Sequence, residues 1–179
     1  MIAGRRARFF GRVDAYEQGL CRRLNRGLQR AALRDLFVLV SRLGDGIAWY
    51  LLVLLIPVCC GEAGLRPALV MSATGIVGVI LYKLLKQRLV RERPYITFAG
   101  IHAGTTPLDR YSFPSGHTLH AVSFTLLATA YFPVLGWLLV PFASLVAASR
   151  VVLGLHYPTD VLAGAVLGAA LAGAALALT

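Results

Sequence analysis

Charged residues are absent from four long stretches of the chain, 46–61, 67–82, 121–149 and 161–179. Apolar runs of this kind predict helices that cross a bilayer, which takes about 20 mostly apolar residues and no fewer than about 17. The first two runs are short and take in flanking residues, with Arg66 and Lys83 reaching outward toward headgroups. The run 121–149 is too long for one crossing, because about 1.5 Å per residue gives about 44 Å against a hydrocarbon core of about 30 Å. Pro133 and Gly136 in "FPVLGW" supply the break. The pattern predicts an all-α, integral-membrane helical bundle with about five transmembrane helices, at 46–64, 66–86, 114–132, 135–153 and 159–178.

The first 45 residues follow a different pattern. They hold ten of the 18 lysines and arginines, all of them arginine: Arg5, Arg6, Arg8, Arg12, Arg22, Arg23, Arg26, Arg30, Arg34 and Arg42. Leu20, Leu24, Leu28, Ala32 and Leu36 recur among them at four-residue spacing. That spacing predicts an N-terminal amphipathic interfacial helix resting on an anionic membrane surface. A nucleic-acid arm is the rival source of such charge, but no aromatic interleaving or binding motif accompanies it, so no nucleic-acid partner is expected. The chain divides into a basic interfacial segment, 1–45, and a transmembrane domain, 46–179.

Composition supports lipid as the solvent. The chain is 58% hydrophobic and 15% charged, whereas a soluble domain carries about 25% charged residues; a water-soluble bundle would lack polar residues to cover its outside. No cleavable signal peptide is expected, because the N-terminus lacks a sufficiently long apolar stretch. Cys59 and Cys60 adjoin inside a span and Cys21 is far away, which is neither a disulfide framework nor a metal-ligand spacing. Gly164 and Gly168, four apart in the last span, suit close helix packing. Nothing in the pattern sets an oligomeric state.

Polar residues near the spans gather in three clusters: "KLLKQRLVRERP" with Lys86 and Arg93-Pro94, "PSGH" at 114–117, and "SRVVLGLHYPTD" with Ser149-Arg150, His156 and Asp160. The first ends one helix, the second begins the next, and the third joins the last two, so an up-and-down bundle brings all three to one membrane face. Lys86 and Arg93 lie nearly two turns apart, so a helix continuing to Pro94 would point both the same way, toward a multiply charged anion. Snorkelling cations are the alternative, and are the preferred reading for Lys83, Arg88 and Arg91. Pro114 suits a first helical turn, and the free N–H groups of Ser115, Gly116 and His117 would then form a phosphate cradle, with the Ser115 hydroxyl adding a donor; ordinary capping is the bland alternative. Asp160, in the first turn after Pro158, can reach back to His156, although an acid there also simply favours the helix dipole. Arg150, near the end of a span, marks a site because buried charge in a membrane is costly.

These residues resemble the type 2 phosphatidic acid phosphatase family, whose pattern is Lys-x6-Arg-Pro, Pro-Ser-Gly-His and Ser-Arg-x5-His-x3-Asp. All three parts stand in order, at Lys86–Pro94, Pro114–His117 and Ser149–Asp160. The resemblance implies a lipid phosphatase in which His156 is the nucleophile that becomes phosphohistidine and Asp160 orients it. It makes His117 the general acid and then base, and Lys86, Arg93, Ser115, Gly116 and Arg150 the phosphate clamp. It implies no metal and no cofactor, with a lipid phosphate as substrate and membrane lipids as surroundings. His102 and His120 match no motif position and read as structural. Many bacterial members that look similar have six spans. With five, the basic N-terminus and the active face share a side, and the positive-inside rule points to the cytoplasmic side of a bacterial inner membrane. Phosphoryl transfer to a lipid or sugar acceptor, and a non-catalytic lipid-binding or transport role, are the competing functions.

Overall fold

The computed structural model describes residues 2–107 and 109–179, with side chains from Gly11 onward; the side chains of Arg5, Arg6 and Arg8 lie outside it. The described residues form eight α-helices: α1 (Ile2–Asn25), α2 (Ala31–Arg42), α3 (Ala48–Cys60), α4 (Glu62–Arg88), α5 (Pro94–Thr97), α6 (Gly116–Tyr131), α7 (Gly136–Val152) and α8 (Pro158–Leu178). Their sole β pairing is one isolated bridge, Glu92 to Tyr111. The molecule is an all-helical membrane bundle.

Among the described residues, four stretches are long and apolar enough to cross a bilayer: Ala31–Cys60, Glu62–Arg88, Pro133–Val152 and Pro158–Leu178. The expected fifth crossing, 114–132, is α6, whose 16 residues reach about 24 Å. Its place explains its length: α6 packs against α4, α7 and α8, so protein rather than lipid sets how far it must extend. Gly164 and Gly168 do mediate close packing, as their spacing suggested. A Cβ on Gly164 would stand 2.5 Å from the Ser115 carbonyl oxygen, and one on Gly168 would strike the Leu119 carbonyl.

The first span starts at Ala31 rather than 46. Thirty helical residues measure about 45 Å, more than the hydrocarbon core, and the helix is broken near its middle by a wide turn at Leu43–Ile47. Gly46 adopts φ 122° there, a conformation that favours glycine. Trp49 closes the break by donating from Nε1 to the Gly44 carbonyl at 3.2 Å. Its ring stacks on Phe124 with centroids 5.6 Å apart, tying α3 to α6 in a core that includes Met71, Leu127 and Val146.

The leucine repeat of the basic segment does not run along one helix. A 3₁₀ turn at Arg26–Gln29 and an extended Arg30 separate α1 from α2. The face that α1 turns to the bundle is instead polar and small, with Asp14, Cys21 and Asn25 buried, while Tyr16, Leu20 and Leu24 are exposed. Asn25 pins the end of α1: Nδ2 donates to the carbonyls of His102 (2.9 Å) and Val152 (3.0 Å), and Oδ1 accepts from the His102 N–H at 2.9 Å.

Candidate active site

The end of α4, the start of α6, the end of α7 and the start of α8 lie together, so the three motifs meet as the connectivity required. Lys86 sits in the last turn of α4, but Arg93 is not on that helix. The helix stops at Arg88, and Arg93 is extended (φ −80°, ψ 152°), as expected of a residue before proline. Convergence of the two cations is therefore tertiary and needs a third group. Asp109, from the loop before α6, receives Lys86 Nζ at 2.7 and 2.9 Å and Arg93 Nη2 at 2.7 Å. Burial pushes Asp109 upward, but hydrogen bonds from, and attraction to, Lys86 and Arg93 outweigh it and hold the carboxyl below its ordinary value.

Pro114 lies outside α6 rather than in its first turn. Ser115 is the N-cap, accepting from the Thr118 N–H and sharing a 3.0 Å hydrogen bond with the Thr118 hydroxyl. Ser115 is buried and does not line the cavity described below, so capping accounts for its hydroxyl here. Gly116 does line that cavity; a Cβ on it would stand 3.3 Å from the Tyr82 ring. His117 meets a partner the sequence reading missed: its Nε2 lies 3.1 Å from Asp45 Oδ1. The wide turn before α3 is what brings Asp45 there, and only the chain's charge boundary hinted at it.

After α7 the chain reverses at Gly154, with φ 70°. The N–H groups of Leu155 and His156 both donate to the Arg150 carbonyl, at 3.1 and 3.0 Å. His156 is fully enclosed, and Arg93 Nη1 lies 3.2 Å from its Nε2. A guanidinium can only donate, so Nε2 accepts and the ring proton resides on Nδ1. That Nδ1 faces Asp160 Oδ2 at 3.6 Å, beyond hydrogen-bonding range, while Oδ2 accepts from the Tyr157 N–H at 2.9 Å. Burial, then the charges of Arg93, Arg150 and Lys86, push His156 well below the ordinary histidine value. A neutral ring with a lone pair on Nε2 is the nucleophilic form. Arg150 is buried, its Nη1 donates to the Ser41 hydroxyl, and its Nε has no partner among the described residues.

Arg91 is not a snorkelling cation. It is 2% exposed and bound by Asp14, Glu17 and Asp160; a sequence pattern cannot show a partner lying 77 residues away. Of the two histidines read as structural, His102 is held through its backbone by Asn25. His120 lines the cavity, with its ring nitrogens on the carbonyls of Gly116 (2.8 Å) and Gly75 (3.2 Å).

Lys86, Arg93, His117, Arg150 and His156 share one cavity of about 600 Å³. From this charged end the cavity continues between α3 and α4 past Tyr50, Val53, Leu54, Ile76 and Val79. Along α4, Ser72 to Lys86 covers about 21 Å. Three cations and a neutral imidazole at the head of an apolar groove can bind a phosphate whose substituent is greasy. No group of three or more His, Cys, Asp or Glu among the described residues is placed to ligate a metal.

The sequence profile of the PAP2 superfamily matches residues 64–179. An undecaprenyl-diphosphatase, BcrC of Bacillus subtilis, is 30% identical over 121 residues, covering 68% of this chain and 62% of that protein. An undecaprenyl-diphosphatase of Sulfolobus acidocaldarius is 32% identical over 143 residues, covering 78% of this chain and 68% of that one. This chain thus spans between three fifths and about two thirds of the length of these two relatives. The crystal structure of Aquifex aeolicus LpxE superposes with a TM-score of 0.78 at 24% identity, over 90% of this chain and 95% of that one, which shows the shared fold. With each of the three motifs contributing residues to one cavity and the profile covering most of the chain, this protein belongs to the PAP2 superfamily.

Proposed function

We propose that the chain is an integral-membrane lipid phosphatase, hydrolysing a phosphomonoester or diphosphate of a lipid through a phosphohistidine. The observation that carries this reading is the continuity of the cavity, with phosphate-binding cations and His156 at one end and an apolar groove between α3 and α4 at the other. Lys86, Arg93 and Arg150 neutralise the phosphate oxygens, and the N–H groups of Gly116 and His117 add donors; those of Ser115 and Thr118 are taken by the Asp160 carbonyl and the Ser115 hydroxyl, so the cradle is smaller than the sequence suggests. His156 Nε2 attacks phosphorus, the bond to the leaving oxygen breaks, and His117 delivers a proton to that oxygen. Water then attacks the phosphohistidine, His117 takes the water's proton, and phosphate leaves with His156 restored. Asp45 holds the His117 ring in the cavity, and Asp160 faces the imidazole proton as positive charge develops on His156. Positioning and charge neutralisation account for most of the catalysis of phosphoryl transfer.

The groove and the names of the relatives make polyprenyl diphosphate the first substrate to assay, followed by phosphatidylglycerol phosphate and phosphatidic acid. The arginine bias of the N-terminal segment supports an active face on the cytoplasmic side of a bacterial inner membrane, with the segment ahead of the Ala31–Cys60 span against the headgroups and Tyr16, Leu20 and Leu24 toward lipid. The test is phosphate release by purified protein in detergent across this panel, with His156→Ala as control and with a chelator present. Release by the wild type, abolished in the variant and unaffected by chelator, is the expected result. Activity retained by His156→Ala, or lost with chelator and restored by a divalent ion, refutes the mechanism. Labelled phosphate appearing on an added lipid or sugar acceptor instead of water would make the chain a phosphotransferase.

A further inference from the structure

The N-terminal helix reaches the nucleophile through a buried chain of ion pairs. Arg91 lies between two sets of acids. On one side its Nη1 donates to Asp160 Oδ1 at 2.5 Å. On the other, its Nε and Nη2 donate to Asp14 Oδ1 at 2.9 and 2.5 Å, and Nη2 also reaches Glu17 Oε2 at 2.8 Å. The guanidinium stacks 3.8 Å from the centre of the Tyr157 ring, which fixes its plane. Glu17 also caps α8, accepting from the Thr159 N–H at 2.6 Å and the Thr159 hydroxyl at 2.7 Å. That hydroxyl in turn accepts from Arg91 at 2.7 Å. Asp160, fully buried, thus has one oxygen set by Arg91 and the other by the Tyr157 N–H, with His156 Nδ1 waiting 3.6 Å away.

We propose that Asp14 and Glu17 of α1 are positioning residues for the reaction, acting through Arg91 on Asp160 and so on His156. Resting on the phosphatase reading above, the inference adds that the active site is incomplete without the N-terminal helix, whose Glu17 and Asp14 lie 69 or more residues ahead of any motif position. The physical reason is the division of one positive charge among three carboxylates. With Asp14 and Glu17 drawing on the guanidinium, Asp160 keeps negative potential to offer His156 as it becomes a cationic phosphohistidine. Without them Arg91 would bear more of its charge on Asp160 and neutralise it, and the start of α8 would lose its Glu17 cap. The effect falls on attack at phosphorus, the step every substrate shares. It does not fall directly on the phosphate clamp, because the side chains of Lys86, Arg93 and Arg150 bond to Asp109, to Leu155 and His156, and to Ser41 rather than to Asp14, Glu17, Arg91 or Asp160.

The test compares wild type with Glu17→Gln, Asp14→Asn and the double variant, using p-nitrophenyl phosphate and a long-chain lipid phosphate, with inhibition by inorganic phosphate as the measure of the clamp. The double variant is expected to lose about tenfold in kcat on both substrates, with KM and the phosphate inhibition constant within about twofold. In an Asp160→Asn background the same changes should add little, because residues acting through one group are not additive. Unchanged kcat in folded variants overturns the inference. So does loss of phosphate affinity in parallel with kcat, which would make α1 a scaffold only. If the double variant does not fold, Thr159→Val, which removes the hydroxyl bridging Glu17 and Arg91, must show the same kcat-only loss or the inference fails. Wild-type protein inactive on the whole panel would overturn the phosphatase reading and this inference with it; active wild type with indifferent α1 variants would overturn this inference alone.

Discussion

Replacing Asp45 with asparagine should separate the two chemical steps of the reaction. The carboxylate holds His117 Nε2 at 3.1 Å, and hydrogen bonds to charged groups contribute about 1.5–3 kcal/mol. The Asp45 side chain is 39% exposed, so solvent screening argues for the bottom of that range or slightly below. A loss of about 1.4 kcal/mol corresponds to about tenfold in rate. An alkoxide leaving group needs a proton from His117, whereas nitrophenolate leaves unaided. The expected outcome is about tenfold lower kcat/KM on an alkyl or lipid phosphate with kcat/KM on p-nitrophenyl phosphate nearly unchanged, measured side by side in the same detergent, because kcat/KM reports formation of the phosphohistidine and not its His117-assisted hydrolysis. Gly46→Ala should reproduce this split. Its φ of 122° disfavours any side chain, and a Cβ there would stand 2.8 Å from the Tyr50 ring, so the turn presenting Asp45 cannot persist. Equal losses on both substrates, or none on either, would refute the assignment of Asp45 as the orienting partner of the general acid.

Other consequences follow from the same geometry. Asp109→Asn removes the carboxylate that occupies Lys86 and Arg93, so inorganic phosphate should inhibit about fivefold more tightly, about 1 kcal/mol for ion pairs whose carboxylate is 39% exposed; weaker inhibition would mean that Asp109 builds the clamp rather than competing for it. At Gly75 a Cβ would lie 2.9 Å from the Phe124 ring, so Gly75→Val should narrow the groove and raise KM for long-chain lipid phosphates while sparing p-nitrophenyl phosphate. Equal effects on both would place the lipid chain elsewhere. In the free enzyme, burial and the charges of Arg93, Arg150, Lys86 and His117 lower His156 below its ordinary value of 6.5, opposed across the ring by Asp160. A lowered histidine stays neutral, and nucleophilic, further into acid. The acid limb of kcat/KM, corrected for ionisation of the substrate, should therefore lie below 6.5, and a limb at or above that value would refute a neutral His156.

The helical membrane class, the approximate crossings and the gathering of three motifs at one face were legible in the sequence. They depend on local quantities: apolar run length, chain breaks at Pro133 and Gly136, and the alternation of helix ends. Even so, Lys86 and Arg93 were read on one helix and converge instead through an extended segment, and Pro114 was read inside a helix that Ser115 begins. What the sequence could not show were the acids. Asp14, Glu17, Asp45 and Asp109 carry no motif spacing, and each acquires its role from a cation or imidazole brought near by the packing of separate helices, or by a loop laid over them. Arg91 shows the difference most directly. In the sequence it is one more positive charge at a membrane edge, where water and headgroups would satisfy it. In the fold it is buried against three carboxylates, because removing a charge from water is tolerable only when partners replace the water, and those partners come from α1 and α8.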